Sequence, residues 1–259
     1  IDIFSMQHQE AADKIKELGA PEDHVCINGN LKYDLNIDPP SEEEYYRKKE
    51  MFNIEEETKV LTAGSTHEGE EKIILNTYKQ LKNNINDLKL MLAPRYVERR
   101  AELLNLCGKN ELHAVLYSDL KKKQSAADKN TDVIIIDTMG ELSRLYYYAD
   151  LVFIGGSLIN RGGHNVIEPA ARAKVVLFGP SMYNFKEERD FLLDNEVAFE
   201  VKDQEEFFEK SYQLLINESF RLERAEKAAS LIAENRGAVK KQLQLIDVLL
   251  KQGVDDYAG

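Results

Sequence analysis

The sequence contains few of the features that mark a secreted or membrane-spanning protein. It has only two cysteines, Cys26 and Cys107, among 259 residues, which is too few for a disulfide framework. Neither cysteine has the spacing of a metal ligand, so we interpret both as small core residues in a protein of a reducing compartment. No apolar run approaches the ~20 residues that a membrane-spanning helix needs, and we find no signal peptide.

Positive charge is also scarce: Lys and Arg total 34 against 46 Asp and Glu, so the net charge at pH 7 is -12. A protein binds nucleic acid through a basic face that neutralises phosphates. We therefore expect no nucleic-acid partner. A single nucleotide stays compatible with this charge, because backbone N–H groups at the start of one helix suffice to bind its phosphate.

The chain is long enough for one large domain, or for a domain with a remnant of another. Its first residues, Ile1-Asp2-Ile3-Phe4, resemble the end of a strand, and residue 1 is not Met, so we expect the sequence to begin within a longer protein. Helical spacing follows over 5–18, and the segment Asp38-Pro39-Pro40-Ser41 breaks the chain. We divide the chain into the last helix and strand of an N-terminal domain at 1–27, an interdomain linker at 28–40 and a larger domain at 41–259.

Beyond residue 57, apolar runs of strand length alternate with segments of helical period. The strand-like runs are 59–63, 88–92, 114–117, 133–136, 151–154, 175–178 and 197–201. The helical segments are 70–81, 97–106, 139–148, 166–171 and 186–194, and three more helices are expected over 204–251. This alternation predicts a parallel sheet with helices on both faces. We expect a solvated, mobile loop at Lys121-Lys122-Lys123 and a packing role for Tyr146-Tyr147-Tyr148.

In open parallel sheets, ligands bind at the carboxyl ends of the strands, and four strand-to-helix junctions contain unusual residues. The first is Ala63-Gly64-Ser65-Thr66-His67-Glu68-Gly69-Glu70. Small residues let the backbone approach a ligand, and the N–H groups and dipole of a helix start favour an anion. A capping box formed by Ser65 and Glu68 is the alternative, but it accounts for neither the two glycines nor the histidine. The candidate ligand residues are Gly64, Ser65, Thr66 and His67.

The richest junction lies between the strand-like run 151–154 and the helical segment 166–171. It contains two glycine pairs, an arginine, a histidine and a glutamate. A capping box of Asn165 with Glu168 is again the alternative, with Pro169 in the first turn. A cap needs no glycine pairs, and folding energy alone gives no reason to accept their entropic cost. The candidate ligand residues are Gly155, Gly156, Ser157, Gly163, His164, Asn165 and Glu168, and Glu168 has the position to accept from both ribose hydroxyls.

Two further junctions give weaker signals. Arg95, directly after an apolar run, has the chemistry to pair with a phosphate or a carboxylate, although a surface arginine at a helix start is the alternative. The segment 137–142 offers backbone for contact with a nucleobase, with Thr138, Met139, Gly140 and Glu141 as candidates. Its alternative is a helix cap made by Asp137 or Thr138.

Taken together and in order, six segments resemble the 3-deoxy-D-manno-octulosonic acid (Kdo) transferases of Gram-negative bacteria. The segments are 29–34 (Gly-Asn-Leu-Lys-Tyr-Asp), 63–70, 93–95, 137–142, 155–169, and 178–180 with 184–185. The resemblance covers nearly the whole chain. It departs from the family after Arg95, where the family usually has His-Pro and this sequence has Tyr96-Val97.

The resemblance implies a GT-B fold of two facing Rossmann-like domains, of which this chain holds the C-terminal, nucleotide-sugar-binding one. It implies transfer of Kdo from CMP-Kdo to a lipid A precursor in lipopolysaccharide biosynthesis, at the cytoplasmic face of the inner membrane. It also implies that the catalytic base, the acceptor site and the membrane contact lie in an N-terminal domain outside this sequence. We accordingly expect a soluble fragment that binds donor but is inactive alone.

For the donor site, the resemblance implies that Lys32 and Arg95 add positive charge and that backbone N–H groups near 65–67 and 162–165 bind the phosphate. No Asp-x-Asp motif or other carboxylate cluster occurs in the junctions, so we expect neither a metal nor a cofactor. Two alternatives stay open. One is another GT-B enzyme, such as a UDP-sugar transferase or a UDP-sugar 2-epimerase, and the other is a nucleotide-binding module without catalysis.

Overall fold

The computed structural model describes residues 3–35 and 38–257. These residues form two compact units. The smaller one comprises the described residues up to 35 together with those from Ser230 onward, and the larger one runs from residue 38 to Ala229. The domain boundaries drawn from the sequence stay predictions, and Ile1 and Asp2 of the expected strand end lie outside the described residues.

The elements alternate along the chain as the apolar pattern predicts. The described strands are β1 (Phe4–Met6), β2 (Val25–Ile27), β3 (Lys59–Thr66), β4 (Leu88–Pro94), β5 (Ala114–Leu116), β6 (Val133–Ile135), β7 (Leu151–Ile154), β8 (Val175–Phe178) and β9 (Ala198–Glu200). The described α-helices are α1 (Gln9–Glu17), α2 (Glu42–Phe52), α3 (Glu70–Lys82), α4 (Arg100–Lys109), α5 (Tyr117–Lys123), α6 (Leu142–Leu145), α7 (Ile167–Ala170), α8 (Lys186–Asp194), α9 (Gln204–Ile216), α10 (Glu218–Glu234) and α11 (Ala238–Tyr257).

The smaller unit is built around a parallel pair of strands. β1 pairs with β2 in the register Phe4–Val25, and α1 connects them. The carboxylate of Asp34 accepts from the backbone N–H groups of Gly237 and Val239, each at 2.5 Å. Asp34 thereby caps the start of α11.

The larger unit contains a seven-stranded sheet in the order β5-β6-β4-β3-β7-β8-β9, and every neighbouring pair is parallel. From β3 the chain moves out to one edge of the sheet, then crosses back to β7 on the other side of β3. The order therefore reverses beside β3. In open α/β sheets, the crevice at such a reversal is where ligands bind.

Hydrophobic clusters of buried residues cover both faces of the sheet. Alternate residues of a strand point to opposite faces, so Leu61 packs with Tyr78 of α3 on one face. Val60 packs with Phe52 of α2 and Tyr117 of α5 on the other. The predicted fold, a Rossmann-like parallel sheet with helices on both faces, is confirmed.

Two segments differ from the sequence predictions. Lys121-Lys122-Lys123 forms the last turn of α5 instead of a mobile loop; Tyr117 and Leu120 anchor that helix in the core, and three cations suit a helix C-terminus. The sequence predicts no element over 42–52, yet α2 forms there. Its signal is weak because charged residues dominate the segment, although Ser41 caps it by accepting from the N–H of Glu44 at 3.2 Å.

Two predicted helices are shorter than expected. The segment 139–148 forms the single turn α6 followed by a 3-10 turn at Tyr146–Tyr148. The segment 166–171 forms only α7. Tyr146 and Tyr148 are buried, as the packing interpretation expects.

Candidate functional site

Strand β3 ends in a bulge at the carboxyl edge of the sheet. Its pairing with β4 shifts register between Gly64 and Thr66, and Ser65 between them has φ 57°, a conformation that is uncommon for a residue with a side chain. The capping box of Ser65 and Glu68, the alternative to a ligand site, does not form. Helix α3 begins only at Glu70, and its N-cap, Gly69, makes no side-chain hydrogen bond.

A buried carboxylate joins the two richest junctions. Oε1 of Glu70 accepts from the backbone N–H of His67 at 2.7 Å and from that of Gly156 at 2.6 Å. Glu70 is fully buried, and this burial raises its pKa to about 7 against the opposing effect of the two N–H groups. The His67 N–H that the sequence analysis offers to a phosphate is therefore occupied by the protein's own carboxylate.

Above this carboxylate, two histidines face each other. The Nε2 atoms of His67 and His164 are 2.9 Å apart, and the rings are stacked with their planes 8° apart. Burial lowers the pKa of His164 to about 4, assisted by His67 and Arg95. Burial also lowers the pKa of His67, with Arg161 as the next cause. At neutral pH the pair is uncharged, and one Nε2–H donates to the other nitrogen.

The positive charge at this edge comes from arginines. Arg95 and Arg161 are exposed, and neither forms an ion pair with a carboxylate of the described residues. Arg99 differs, because it is bound to Glu71 at 2.5 Å and to Glu102. Arg95 and Arg161 are thus the cations that an incoming anion meets beside the histidine pair.

The glycines have packing reasons that the sequence does not reveal. A Cβ on Gly64 would lie 2.3 Å from the hydroxyl of Tyr146, and one on Gly155 would lie 2.5 Å from the carbonyl oxygen of Ser65. Gly163 has φ 68° and packs against Met182. The expectation that folding gives no reason for these glycines is wrong. Gly156, with φ 69°, lies beside both histidines: a Cβ there would be 3.3 Å from the Cδ2 atoms of His67 and His164.

Two candidate hydroxyls are buried in the junctions. Ser157 accepts from the N–H of Gly179 at 2.8 Å and donates to the carbonyl of Ile154, so it holds the ends of β7 and β8 together. Thr66 donates to Glu71 at 3.2 Å. Both side chains are fully buried, and their hydrogen bonds stabilise the loops of the two junctions.

The loop 138–141 presents backbone to the solvent. The Thr138 hydroxyl donates to Glu141 at 2.6 Å, and Lys121 binds the same carboxylate at 2.8 Å. Met139 is 68% exposed, and the space beside Gly140 is open. This arrangement leaves an apolar side chain and free backbone for a planar group to lie against.

The helix cap that is the alternative for this loop does not form, because Asp137 stabilises another helix. Its carboxylate accepts from the N–H of Ser118 at 2.9 Å and from the hydroxyl of the same residue at 2.6 Å. Asp137 therefore stabilises the start of α5. Thr138 caps no helix either, since its hydroxyl is bonded to Glu141.

Near α7 the capping interpretation holds in part. Oδ1 of Asn165 accepts from the N–H of Ile167 at 3.0 Å, and its Nδ2 donates to Oε1 of Glu168 at 3.2 Å. Glu168 makes no reciprocal bond to the backbone in the hydrogen bonds described for it. Lys32 belongs to the smaller unit, in the 3-10 turn Leu31–Tyr33, and its contact with a donor stays a prediction.

Three residues near the histidines are absent from the candidates chosen by sequence: Glu70, Tyr96 and Arg161. Tyr96 is 56% exposed, and its ring lies edge-on to that of His67 with centroids 5.7 Å apart. Arg161 and Glu70 lie inside the two richest junctions, so their position was a usable signal. A glutamate in a first helical turn is ordinary, so the sequence alone does not single out Glu70.

Over the residues that the structure covers, no cluster of three or more His, Cys, Asp or Glu side chains has a metal-binding arrangement. In the same part of the chain, no helix is both long enough and apolar enough to cross a membrane.

No protein-family model matches the chain, but individual proteins do. A bifunctional glycosyltransferase/methyltransferase of Fusobacterium nucleatum is 34% identical, covering 98% of this chain and 39% of that protein. A 3-deoxy-D-manno-octulosonic acid transferase of Haemophilus influenzae is 32% identical, covering 98% of this chain and 58% of that protein. The chain thus spans less than two thirds of the length of these relatives.

A solved structure is similar as well. The C-terminal CMP-Kdo binding domain of WaaA from Acinetobacter baumannii is 27% identical with a TM-score of 0.62, covering 69% of this chain and 90% of that domain. The chain is thus homologous to 3-deoxy-D-manno-octulosonic acid transferases, and its larger unit has the fold of the C-terminal domain of a GT-B glycosyltransferase.

Proposed function

We propose that the larger unit binds CMP-Kdo as the donor domain of a glycosyltransferase, and that the complete protein transfers Kdo to a lipid A precursor. The observation that carries the proposal is the cluster of His67, His164, Arg95 and Arg161 where the strand order reverses. An uncharged histidine pair flanked by two arginines without a carboxylate partner is a site for an anion. The homology to a CMP-Kdo-binding domain supports the identity of that anion.

In this proposal the donor phosphate lies beside the histidines. Arg95 and Arg161 neutralise it, and the Nε2 atoms of the histidines exchange their mutual hydrogen bond for bonds to phosphate oxygens. The N–H of Gly156 is excluded as a phosphate ligand, because Glu70 already holds it at 2.6 Å. Side chains therefore do more of the anion binding than the sequence analysis expects.

The nucleoside lies along the loop 138–141. Exposed Met139 and the open space at Gly140 accommodate a planar base, and backbone groups there are placed to contact its edge. Glu168 accepts from the ribose hydroxyls. Its carboxylate holds only the 3.2 Å bond from Asn165 among the side-chain bonds described for it, so it has acceptor capacity to spare.

Transfer requires an acceptor hydroxyl to attack the anomeric carbon of Kdo. The new C–O bond forms as the bond from that carbon to the phosphate oxygen breaks, and CMP leaves with the electron pair. Arg95 and Arg161 stabilise the charge that develops on the leaving phosphate. The hydroxyl proton goes to a base that we place outside this chain, so this chain alone binds donor and catalyses no transfer.

Calorimetry with CMP, UMP and UDP tests the proposal. We expect CMP to bind more tightly than either uridine nucleotide, and to bind equally well in EDTA. Equal affinity for CMP and UMP, or preference for UDP, would favour a UDP-sugar enzyme instead. Absence of binding by all three would remove the nucleotide site.

Two arginine variants locate the phosphate. Arg95→Ala and Arg161→Ala should each weaken CMP binding by roughly 10- to 100-fold, the scale of about 1.5–3 kcal/mol for hydrogen bonds to charged groups. Lys109→Ala is the matched control. It removes one exposed positive charge at the C-terminal end of α4. Because α4 starts at the carboxyl ends of the strands, this charge lies toward the amino ends, away from the histidines. An equal loss in the control would indicate only a general charge effect.

A further inference from the structure

We infer that Glu70 is a positioning residue of the donor site: its carboxylate fixes the spacing of the loops after β3 and β7 and thereby sets the two histidines ring to ring. The inference rests on the proposed function in one respect, that the ligand of the site is CMP-Kdo. The contacts of the buried Glu70 side chain, from which we argue, do not depend on that function.

The first step is the contact itself. One carboxylate oxygen, Oε1, accepts from His67 N at 2.7 Å and from Gly156 N at 2.6 Å. These two residues are 89 positions apart in the sequence numbering, on loops that follow β3 and β7. Because both bonds end on one atom, movement of either loop lengthens a short, charge-assisted hydrogen bond.

The second step is that the fold makes room for this contact. A Cβ on Gly155 would lie 2.7 Å from Oε1 of Glu70 and 2.6 Å from the Cα of Thr66. Any other residue at position 155 would push the β7 loop off the carboxylate. Position 155 therefore needs glycine because the Glu70 side chain packs against this loop.

The third step links the carboxylate to the histidines. His67 carries one of the two N–H donors on its own backbone, and Gly156 carries the other and lies beside both rings, with a Cβ position 3.3 Å from Cδ2 of each. Because Glu70 holds the backbones of His67 and Gly156, it holds the backbone against which the two rings pack. The charges of Arg161, Arg95 and Arg99 act on His67, the charge of Arg95 also acts on His164, and the ring of Tyr96 lies edge-on to that of His67.

A cap of helix α3 is the simpler role for Glu70, since a glutamate that reaches back three residues to a backbone N–H is a capping contact. Two observations go beyond it. The same oxygen binds Gly156 of another loop, and the whole side chain is fully buried. A helix cap has no need to be buried at that desolvation cost.

The test compares Glu70→Ala and Glu70→Gln with the wild-type chain. Glu70→Ala should weaken CMP binding by roughly tenfold or more, the scale for losing hydrogen bonds to a charged group. Glu70→Gln keeps a neutral acceptor and should weaken CMP binding less than Glu70→Ala does, but still by more than twofold. Formate, added at tens of millimolar, should restore part of the CMP affinity of Glu70→Ala by occupying the vacated position, and should leave wild-type binding unchanged.

Glu188→Gln is the matched control, because Glu188 is also a fully buried glutamate but lies on α8. It should leave CMP affinity unchanged whatever it does to the melting temperature. If both Glu70 variants fold and bind CMP within twofold of wild type, the inference is overturned. If Glu70→Ala does not fold, the same criterion applies to Glu70→Gln.

A second readout needs no nucleotide, so it separates this inference from the proposed donor. In NMR titrations the ring of His164 should have a pKa far below that of an ordinary histidine in the wild type. In Glu70→Ala that pKa should move toward the ordinary value as the loops separate. Failure of CMP to bind would then count against the proposed function alone, whereas an unchanged His164 titration would count against the role of Glu70.

Discussion

His67 and His164 are 97 residues apart in the sequence, yet their Nε2 atoms meet at 2.9 Å over the end of β3. Each therefore satisfies one hydrogen-bonding nitrogen of the other in the free protein. An anion that binds there must replace this bond with its own oxygens. The two rings stack with centroids 5.2 Å apart, so their Nε2 atoms must separate before an oxygen can accept from both.

The two buried groups at this site should have opposite effects on stability as the pH changes. Glu70 has a raised pKa, near 7 in place of 4.5, so the folded form binds a proton that the unfolded form lacks, and stability rises as the pH falls from 7 to 4.5. His164 has a pKa near 4 in place of 6.5, so stability falls as the pH falls from 6.5 to 4. The two effects largely cancel in the wild type.

Glu70→Gln should remove the first effect. Relative to this variant, the wild type should gain roughly 3 kcal/mol of unfolding free energy between pH 7 and pH 4.5, since one pKa unit corresponds to about 1.4 kcal/mol. His164→Gln should shift the pH dependence of the unfolding free energy in the opposite direction. Urea unfolding at four pH values from 4.5 to 7.5 measures both, and parallel pH profiles for all three proteins would contradict the assignment.

Gly64→Ala should destabilise the larger unit by about 1–3 kcal/mol, the range for overpacking a core. The added methyl group would lie 2.3 Å from the Tyr146 hydroxyl, and Tyr146→Phe removes that atom. In a double-mutant cycle the two changes should therefore compensate in part. Gly140→Ala is the contrast: nothing lies within 4 Å of its Cβ position, so Tyr146→Phe should not alter its effect.

Glu168→Ala should weaken CMP binding by about 1–3 kcal/mol and leave the melting temperature nearly unchanged. The N–H of Ile167 at the start of α7 is held by Asn165 at 3.0 Å, so the helix keeps its cap without Glu168. Glu187→Ala, an exposed glutamate in the first turn of α8, should change neither quantity. A lower melting temperature with intact affinity would show that Glu168 only supports the helix.

This chain should form no glycosylated lipid when incubated with CMP-Kdo and a lipid A precursor. A positioned base contributes roughly 10²–10⁴-fold to such a reaction, and alignment of the two substrates contributes more. Glu70, the buried carboxylate nearest the histidines, is held by two backbone N–H groups and is not available as that base. Mass spectrometry of the lipid is the measurement, and product at a rate near that of a complete enzyme would place a base within this chain.

The fold was predictable because its signals are local. A buried parallel strand needs a continuous apolar run, and runs such as 88–92 and 175–178 match β4 and β8 closely. The same local reasoning missed α2, whose side chains are mostly charged and whose burial depends on Phe52 meeting Tyr117 across the sheet face. It also mistook the last turn of α5 for a loop.

By itself the sequence determined which junctions come together, since parallel strands bring their carboxyl ends to one edge and place 64–67 beside 155–164. Only the tertiary structure decided what the residues of those junctions do. The clash distance at Gly64 depends on Tyr146, and the hydrogen bonds of Glu70 depend on Gly156, partners remote in the chain. Sequence patterns indicate the conformational preferences of a residue itself. Its burial, its pKa and its hydrogen-bond partners depend on neighbours that come close only when the chain is folded.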